Sequence, residues 1–298
     1  MYDVIIIGSG PAGISAAIYL KRAKKNIIII SNGKSALQKA HKIENYYGIE
    51  SISGEELYNI GIKQAERLGV PIEKDEVTNI SFDNHFIVTT VNREFEAKNV
   101  IIATGTNRMA PNIKGIKEFE GKGVSYCAIC DAFFYRNKDV AVIGNGNYAI
   151  HEAKQLKPVA KSVTILTNGK EMVQNRDASD FDVEETPIRE FRGVNRVEEV
   201  EFDNNDTKKI DGVFVAIGTA SSTDLAKKVG ALVKNNNIVV NENMETTVKG
   251  LYACGDCTGG LLQVNKAVYE GAVAALDIAK NIWFMLKFYC QTMDFNFY

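Results

Sequence analysis

Histidine and cysteine are scarce in this chain, three and five among 298 residues. Five cysteines without a dense framework argue against a disulfide-stapled secreted module. His41, His85 and His151 share no ligand spacing, so no metal site is expected. Charge of one sign is missing as well. Lys and Arg number 35 against 37 Asp and Glu, a formal net charge of −2, which leaves no global electrostatic case for nucleic acid or an anionic membrane. Long hydrophobic runs are also absent. Val4–Ile7 stops at a glycine and is too short for a signal peptide. Ile282–Leu286 is interrupted by Lys287 and is far below spanning length. Neither low-complexity sequence nor a long linker is visible. What remains is a soluble, cytoplasmic chain with room for about two domains and a sizeable core.

Two similar units are present. Val4–Ile7 is a β-branched run of the kind buried on both faces of a sheet. It enters Gly8-Ser9-Gly10-Pro11-Ala12-Gly13, then a helical stretch from Ile14 to Lys25, then a second buried strand, Ile27–Ile30. Strand, glycine turn, helix and strand form the context in which a GxGxxG pattern is credible. The first glycine permits the tight turn and the second admits a pyrophosphate. The third allows close helix packing, with the helix N-terminus facing the phosphates. The pattern returns as strand Val140–Ile143, turn Gly144-Asn145-Gly146-Asn147-Tyr148-Ala149, helix Ile150–Leu156 and strand Val163–Leu166. Between the units lie an antiparallel stretch (Phe86–Val91, Glu94–Phe95) and a separate buried strand, Val100–Ala103, ending in Thr104-Gly105. Val213–Ile217 with Gly218-Thr219 closes the second unit, and Gly250–Asp256 reads as a last strand running into a turn. The expected class is α/β, with two doubly wound, Rossmann-like domains.

Shortly before the second glycine turn stands Ser125-Tyr126-Cys127-Ala128-Ile129-Cys130-Asp131. Two cysteines at this spacing let one thiolate attack a disulfide while the other resolves the mixed disulfide, and Asp131 is adjacent as a proton carrier. A structural disulfide, half of a zinc site and two buried thiols are the competing readings of the pair alone.

These pieces in this order resemble the low-molecular-weight thioredoxin reductases. The resemblance rests on Gly8–Gly13, Glu44-Asn45-Tyr46-Tyr47-Gly48, Ala103-Thr104-Gly105, Cys127–Asp131 and Gly255-Asp256, and spans nearly the whole chain. It implies an FAD domain split in sequence, 1–115 plus 246–298, around a smaller domain of 116–245 that carries the dithiol. It implies FAD on Gly8, Ser9, Gly10, Pro11, Ala12 and Gly13 at the pyrophosphate, Asn45 on the flavin side and Val77 meeting the adenine through its backbone. Ala103, Thr104 and Gly105 would lie by the dinucleotide. Gly255 and Asp256 would lie at the ribityl chain, with Gln263 and Val264 along the ring. Gln38 is an imperfect match in the loop after the second strand. Ser31 and Asn32 stand where the family often has an acid. In the family's chemistry Cys130 faces the flavin, Cys127 is the interchange thiol and Asp131 the acid. Thioredoxin is the implied substrate, and a homodimer the implied assembly.

The second unit departs from the pattern. Members that use NADPH carry a His-Arg-Arg-like cluster after the second strand of this domain, to neutralise the 2′-phosphate. Here Leu166-Thr167-Asn168-Gly169-Lys170 stands there, with Arg176 further on and no acid to hold an NADH ribose. The interval from Gly144 to Gly218 is short, and Tyr148 at the helix start is expected to obstruct the phosphate site. The ferredoxin-dependent flavin thioredoxin reductases resemble this chain in these losses, which makes ferredoxin the implied electron donor.

Cys254 and Cys257 form a second CxxC, read as small buried residues because Gly255-Asp256 between them belongs with the cofactor. Cys290 is read as a bystander and His151 as a surface residue. The tail from Trp283 to Tyr298 is rich in aromatics, for packing across a dimer interface or stacking on the flavin.

Overall fold

The computed structural model describes residues 1–106 and 111–293, with the side chains of Ile129 and 281–293 left aside. The aromatic tail and Cys290 therefore lie outside the described side chains. The chain forms two compact units, Met1–Asn107 with Val229–Tyr298, and Arg108–Lys228.

The first unit is built on a sheet of seven strands: β1 (Tyr2–Ile7), β2 (Ile27–Ser31), β3 (Ile72–Lys74), β4 (Val77–Asp83), β5 (His85–Thr90), β6 (Glu94–Ile102) and β17 (Leu251–Ala253). The order is β3-β2-β1-β6-β5-β4, and β17 pairs with the C-terminal part of β6, Leu251 opposite Val100. β1, β2, β3, β6 and β17 run parallel, whereas β4 and β5 turn back as antiparallel neighbours. The two expected pieces at 94–95 and 100–103 are one continuous strand. β6 alternates exposed and buried residues beside β5, then becomes fully buried from Val100. A single strand thus switches from a half-solvated to a two-sided environment, which breaks the sequence pattern without breaking the ladder.

Ile5, Ile6, Ile27, Ile29, Ile30 and Ile101 are wholly buried. Each contributes about 1.5–3 kcal/mol of burial relative to exposure. α1 (Pro11–Arg22) and α6 (Val264–Met293) cross closely, because an added Cβ on Gly271 would stand 2.1 Å from the Ala12 carbonyl oxygen. α2 (Gly54–Arg67) starts at a capping box between Ser53 and Glu56.

The second unit has a parallel sheet of order β10-β9-β8-β14-β7, comprising β7 (Val124–Ser125), β8 (Asp139–Ile143), β9 (Ser162–Leu166), β10 (Asp182–Glu184) and β14 (Gly212–Val215). An antiparallel sheet of β11 (Ile188–Arg192), β12 (Glu199–Phe202) and β13 (Thr207–Lys209) packs into the same core through Ile188, Phe191, Val200 and Phe202. Its helices are α3 (Ala128–Asp131), α4 (Asn147–Leu156) and α5 (Ser222–Lys228). From Val229 the chain belongs to the first unit. Its hairpin of β15 (Val233–Lys234) and β16 (Asn237–Ile238) lies against the turn after β17, with Asn237 filling the space beside Gly259.

Among the described residues no helix is long and apolar enough to cross a membrane.

Candidate active site

In the first unit, β1, β6 and β17 end side by side, and each ends in a piece of the expected cofactor site. Gly8 has φ of +108°, and an added Cβ would lie 2.5 Å from the Ala103 carbonyl oxygen, so the glycine turn and the Ala103-Thr104 segment touch backbone to backbone. Gly13 is equally constrained, its Cβ position being 2.0 Å from the Gly8 carbonyl oxygen. Gly255 packs on Ala12, with 3.0 Å between the added Cβ and that of Ala12. Residues from three distant parts of the sequence thereby meet at the carboxyl ends of parallel strands, where open α/β sheets take their ligands.

Several other expected residues join them. Asn45 Nδ2 donates to Gln263 Oε1 at 3.1 Å, bringing together two residues 218 positions apart. Val264 follows as the first residue of α6. Ser9 and Ser31 share a hydroxyl hydrogen bond of 2.7 Å, and Tyr58 reaches Ser9 at 2.8 Å. Val77 opens β4, the edge strand beyond β5 at the opposite side of the sheet from β3, and is buried. Asn32 and Gln38 serve local turns. Asn32 Oδ1 accepts from Lys34 N, whereas Gln38 completes a capping box with Ser35 and donates to Glu55.

The chemistry of this cradle suits a dinucleotide. Gly10 is extended and precedes α1 with no side chain capping it, which leaves the first helical amides free for phosphate oxygens. The nearest atom to a Cβ on Gly10 is Ser35 Oγ at 3.4 Å. Thr104 Oγ1 is buried with no partner, as a hydroxyl awaiting a ligand would be. Burial raises the Asp256 carboxyl, opposed by the Lys266 ammonium.

The turn bearing Asp256 is itself braced. Glu270 Oε2 accepts from Gly255 N at 2.8 Å and from Thr258 Oγ1 at 2.9 Å, and Lys266 pairs with it at 3.0 Å. Cys254 and Cys257 are fully buried free thiols behind this turn, and burial pushes the Cys257 thiol up to about 12. Neither is in the state a nucleophile needs. Among the described residues no cluster of His, Cys, Asp or Glu could hold a metal ion.

The second unit presents the dithiol. Cys127 and Cys130 are joined as a disulfide with Cα atoms 5.3 Å apart. Cys127 is the N-cap of the one-turn helix α3, its Sγ accepting from Cys130 N at 3.2 Å. Cys127 is buried, and Cys130 is exposed. Ser125 Oγ accepts from Cys127 N at 3.1 Å and donates to Asp131 Oδ2 at 2.6 Å, so one hydroxyl orients both the first cysteine and the acid. Phe133 and Phe134 follow at 74% and 70% exposure, with the Arg136 guanidinium 5.7 Å over the Phe133 ring.

The second glycine turn repeats the first up to a point. Gly144 has φ of +154° and its Cβ position is 2.2 Å from the Ala216 carbonyl oxygen, the counterpart of Gly8 against Ala103. Beyond it the chain folds onto its own turn. Val173 N donates to Asn145 O at 2.9 Å, Asn145 Nδ2 to Glu171 O at 3.0 Å, and Asn175 Nδ2 to Asn147 Oδ1 at 2.8 Å. Lys154 of α4 and Lys157, its C-cap, pair with Asp177 and Asp180 of the same segment. Tyr148 does not obstruct the turn as expected. It is 1% exposed, with the Lys228 ammonium 5.2 Å over its ring, because α4 directs this position into the core. His151, read as a surface residue, is half-buried. Burial first, then the Lys228 and Lys154 charges, lower it to about 4.

The pyridine nucleotide-disulphide oxidoreductase family model matches residues 2–271. The chain belongs to this family. This oxidoreductase is 34% identical to the thioredoxin reductase of Aquifex aeolicus (strain VF5) over 94% of its own length and 93% of that protein's. Its fold matches the atypical thioredoxin reductase TRi of Desulfovibrio vulgaris Hildenborough with a TM-score of 0.89, at 35% identity, covering 94% of this chain and 99% of that one. A ferredoxin-flavin thioredoxin reductase from Clostridium acetobutylicum matches with a TM-score of 0.71 at 34% identity, covering 95% and 98%. The oxidoreductase is a thioredoxin reductase-like flavoprotein with a Cys–Cys pair, and its cofactor is FAD.

Sequence reasoning missed Ser125, Glu152, Lys228, Phe133 and Phe134. Glu152 carried a signal, as an acid on the buried face of α4 formed by Ala149, Ile150, Ala153 and Leu156. Two consecutive aromatics after the dithiol were a second, since a single turn cannot bury both.

Proposed function

We propose that this protein reduces the disulfide of thioredoxin through FAD and the Cys127/Cys130 pair, with electrons delivered singly by reduced ferredoxin. The observation that carries the donor assignment is the segment 171–180 hydrogen-bonded across the second glycine turn, where a nicotinamide dinucleotide would place its pyrophosphate. The loss of cations supports it too, since Leu166-Thr167-Asn168-Gly169-Lys170 keeps a single, exposed lysine after β9.

FAD supplies a store that accepts electrons one at a time and releases them as a pair to a disulfide. Gly8, Ser9, Gly10, Pro11, Ala12 and Gly13 hold its pyrophosphate, and Ala103, Thr104 and Gly105 flank it. Val77 would meet the adenine through its backbone, with Ser31 at the end of β2 and Asn32 and Gln38 in the loop after it also on the cofactor. Gly255 and Asp256 bind the ribityl chain, with Asn45, Gln263 and Val264 at the ring. Once the pair is reduced, the Cys127 thiolate attacks the substrate disulfide, forming a mixed disulfide and releasing one substrate thiolate. Cys130 then attacks Cys127 Sγ, which re-forms the internal disulfide and frees the second substrate thiol. Asp131, oriented by Ser125, carries the proton to the departing thiolate. Because Cys127 is buried in the disulfide form, the turn must open for its attack. Exposed Phe133 and Phe134 beside the pair suit a protein surface better than a small disulfide.

A cytoplasmic homodimer is part of the same reading. Tyr19 of α1 and Ile60 of α2 are exposed apolar side chains that a second copy would cover.

Anaerobic mixing of the protein with reduced ferredoxin, NADPH and NADH, followed by flavin absorbance, tests the donor. Bleaching by ferredoxin alone, followed by thioredoxin reduction, is expected. Fast bleaching by either nicotinamide would overturn the assignment.

A further inference from the structure

The second unit buries one carboxylate and one ammonium against each other, well away from its surface ion pairs. Glu152 is 2% exposed and the Lys228 side chain wholly buried, with Nζ 2.7 Å from Glu152 Oε1. Replacing such a pair with apolar residues is often neutral or stabilising, so stability alone is a weak reason to keep it. The other oxygen of Glu152 has a definite task. Oε2 accepts from Ala128 N at 2.8 Å, and Ala128 is the residue directly after Cys127. A one-turn helix cannot satisfy its own first amides, and the Cys127 sulfur already takes the Cys130 amide. Glu152 therefore fixes the backbone between the two cysteines from α4. Lys228, the last residue of α5 and of the second unit, closes the bracket from the opposite side.

We infer that Glu152 is a positioning residue of the dithiol, anchoring the amide after Cys127, and that Lys228 is there to cancel its charge beside the sulfur. The inference rests on the dithiol relay proposed above. An unneutralised carboxylate bonded to the amide next to Cys127 would oppose formation of the Cys127 thiolate, whereas the neutral pair holds the turn without that penalty. Other charged groups lie on each neighbouring helix and on β8. α4 itself contributes His151, held neutral, and Lys154, paired with Asp177. α3 contributes Asp131, α5 contributes Lys227 and the buried Asp224, which accepts from Ser221 N, and β8 contributes Asp139, paired with Lys161, whereas β9 contributes no charged residue.

The test is the pH dependence of iodoacetamide alkylation of the FAD-loaded protein, its dithiol reduced beforehand with a phosphine that is then removed. Lys228→Met leaves the carboxylate bare and should raise the pH midpoint of thiol reactivity by about one unit. Glu152→Gln keeps an acceptor for Ala128 N and removes the negative charge, so its midpoint should lie at least about one unit below that of Lys228→Met. Coincident curves would overturn the inference, since a bracket that only supports the fold would move both variants together. Should either single variant fail to fold, E152Q/K228M is compared with E152L/K228M, both neutral, the first keeping the amide acceptor and the second lacking it. About tenfold slower alkylation in the second supports the anchor, and equal rates overturn it. No electron donor takes part, so failure here is distinct from failure of the ferredoxin reading.

Discussion

Gly8-Ser9-Gly10 and Gly144-Asn145-Gly146 solve the same backbone problem twice, each with its first glycine at positive φ against the carbonyl that ends the neighbouring strand. They diverge at the middle residue. Ser9 turns inward and spends its hydroxyl on Ser31 and Tyr58. The helix start at Gly10 then has no side-chain cap, and Thr104, whose backbone packs on Gly8, keeps a buried hydroxyl without a partner. Asn145 turns the other way and binds Glu171 with its amide and Val173 with its carbonyl. Both helices start without a side-chain cap, at Gly10 and at Gly146, and what differs is that the second turn is crossed by the segment 171–180 of its own unit. A GxG pattern therefore reports a fold, and the residue between the glycines helps to decide whether a cofactor site survives.

The comparison extends to the functional loops. Glu270 with Lys266 holds the amide of Gly255 in the first unit, and Glu152 with Lys228 holds that of Ala128 in the second. In both, a helix supplies a buried carboxylate to a backbone amide that the turn cannot satisfy, and a lysine cancels the charge.

The largest expected effects come from the packed glycines. Gly13→Ala and Gly144→Ala each force a methyl to about 2 Å from a carbonyl oxygen, and each should cost about 2–4 kcal/mol. They should differ in cofactor content. Gly13→Ala is expected to purify with little FAD, whereas Gly144→Ala should retain its yellow colour with a second unit more open to proteolysis. Equal loss of FAD from both would dissolve the distinction between the turns.

A smaller, sharper effect separates the middle glycines, where space for a methyl exists in both units. Nothing lies within 3.4 Å of the added Cβ at Gly10 or within 3.5 Å at Gly146. Gly10→Ala should still fold but weaken FAD binding about tenfold, since its methyl crowds the phosphates. Gly146→Ala should leave ferredoxin-driven turnover within about twofold. A large loss of turnover in Gly146→Ala, measured beside its FAD affinity, would show that the second turn still serves a ligand.

Much of this was legible in the sequence because it is carried by residue type at fixed spacing. The two glycine turns, the buried strands and the dithiol follow from such patterns. Asn45 and Gln263 were assigned separately to the flavin side, and the structure joins them by a direct hydrogen bond. The covering of the second turn was not legible in the same way, because its central bond runs between the backbones of Val173 and Asn145 and leaves no mark on side-chain pattern. Tyr148 misled for the opposite reason. Its bulk at a helix start suggested obstruction, but α4 turns that position inward over Lys228. The continuous β6 was divided because its burial pattern changes midway, at Val100.

The smallest expected effect sets the two units against each other in pH. Glu76, beside β4, is raised to about 7 by burial and then by the Asp75 carboxylate, from a usual 4.5. The fold favours its protonated form, so this stabilisation is complete below about pH 4.5 and is lost as pH rises through 7. His151 in α4 is lowered to about 4 from 6.5, so its contribution is complete above 6.5 and is lost as pH falls towards 4. Allowing for partial exposure, each is worth about 1–2 kcal/mol. Glu76→Gln should therefore stabilise the first unit at pH 8 and change little at pH 4.5. His151→Gln should relieve the second unit at pH 4.5 and change little at pH 8. Hydrogen exchange of the two sheets, followed across this range, reads the units separately, which a single melting temperature would not. If both sheets lost protection in the same direction of pH, these two groups would not be what sets the acid and alkaline limits of the fold.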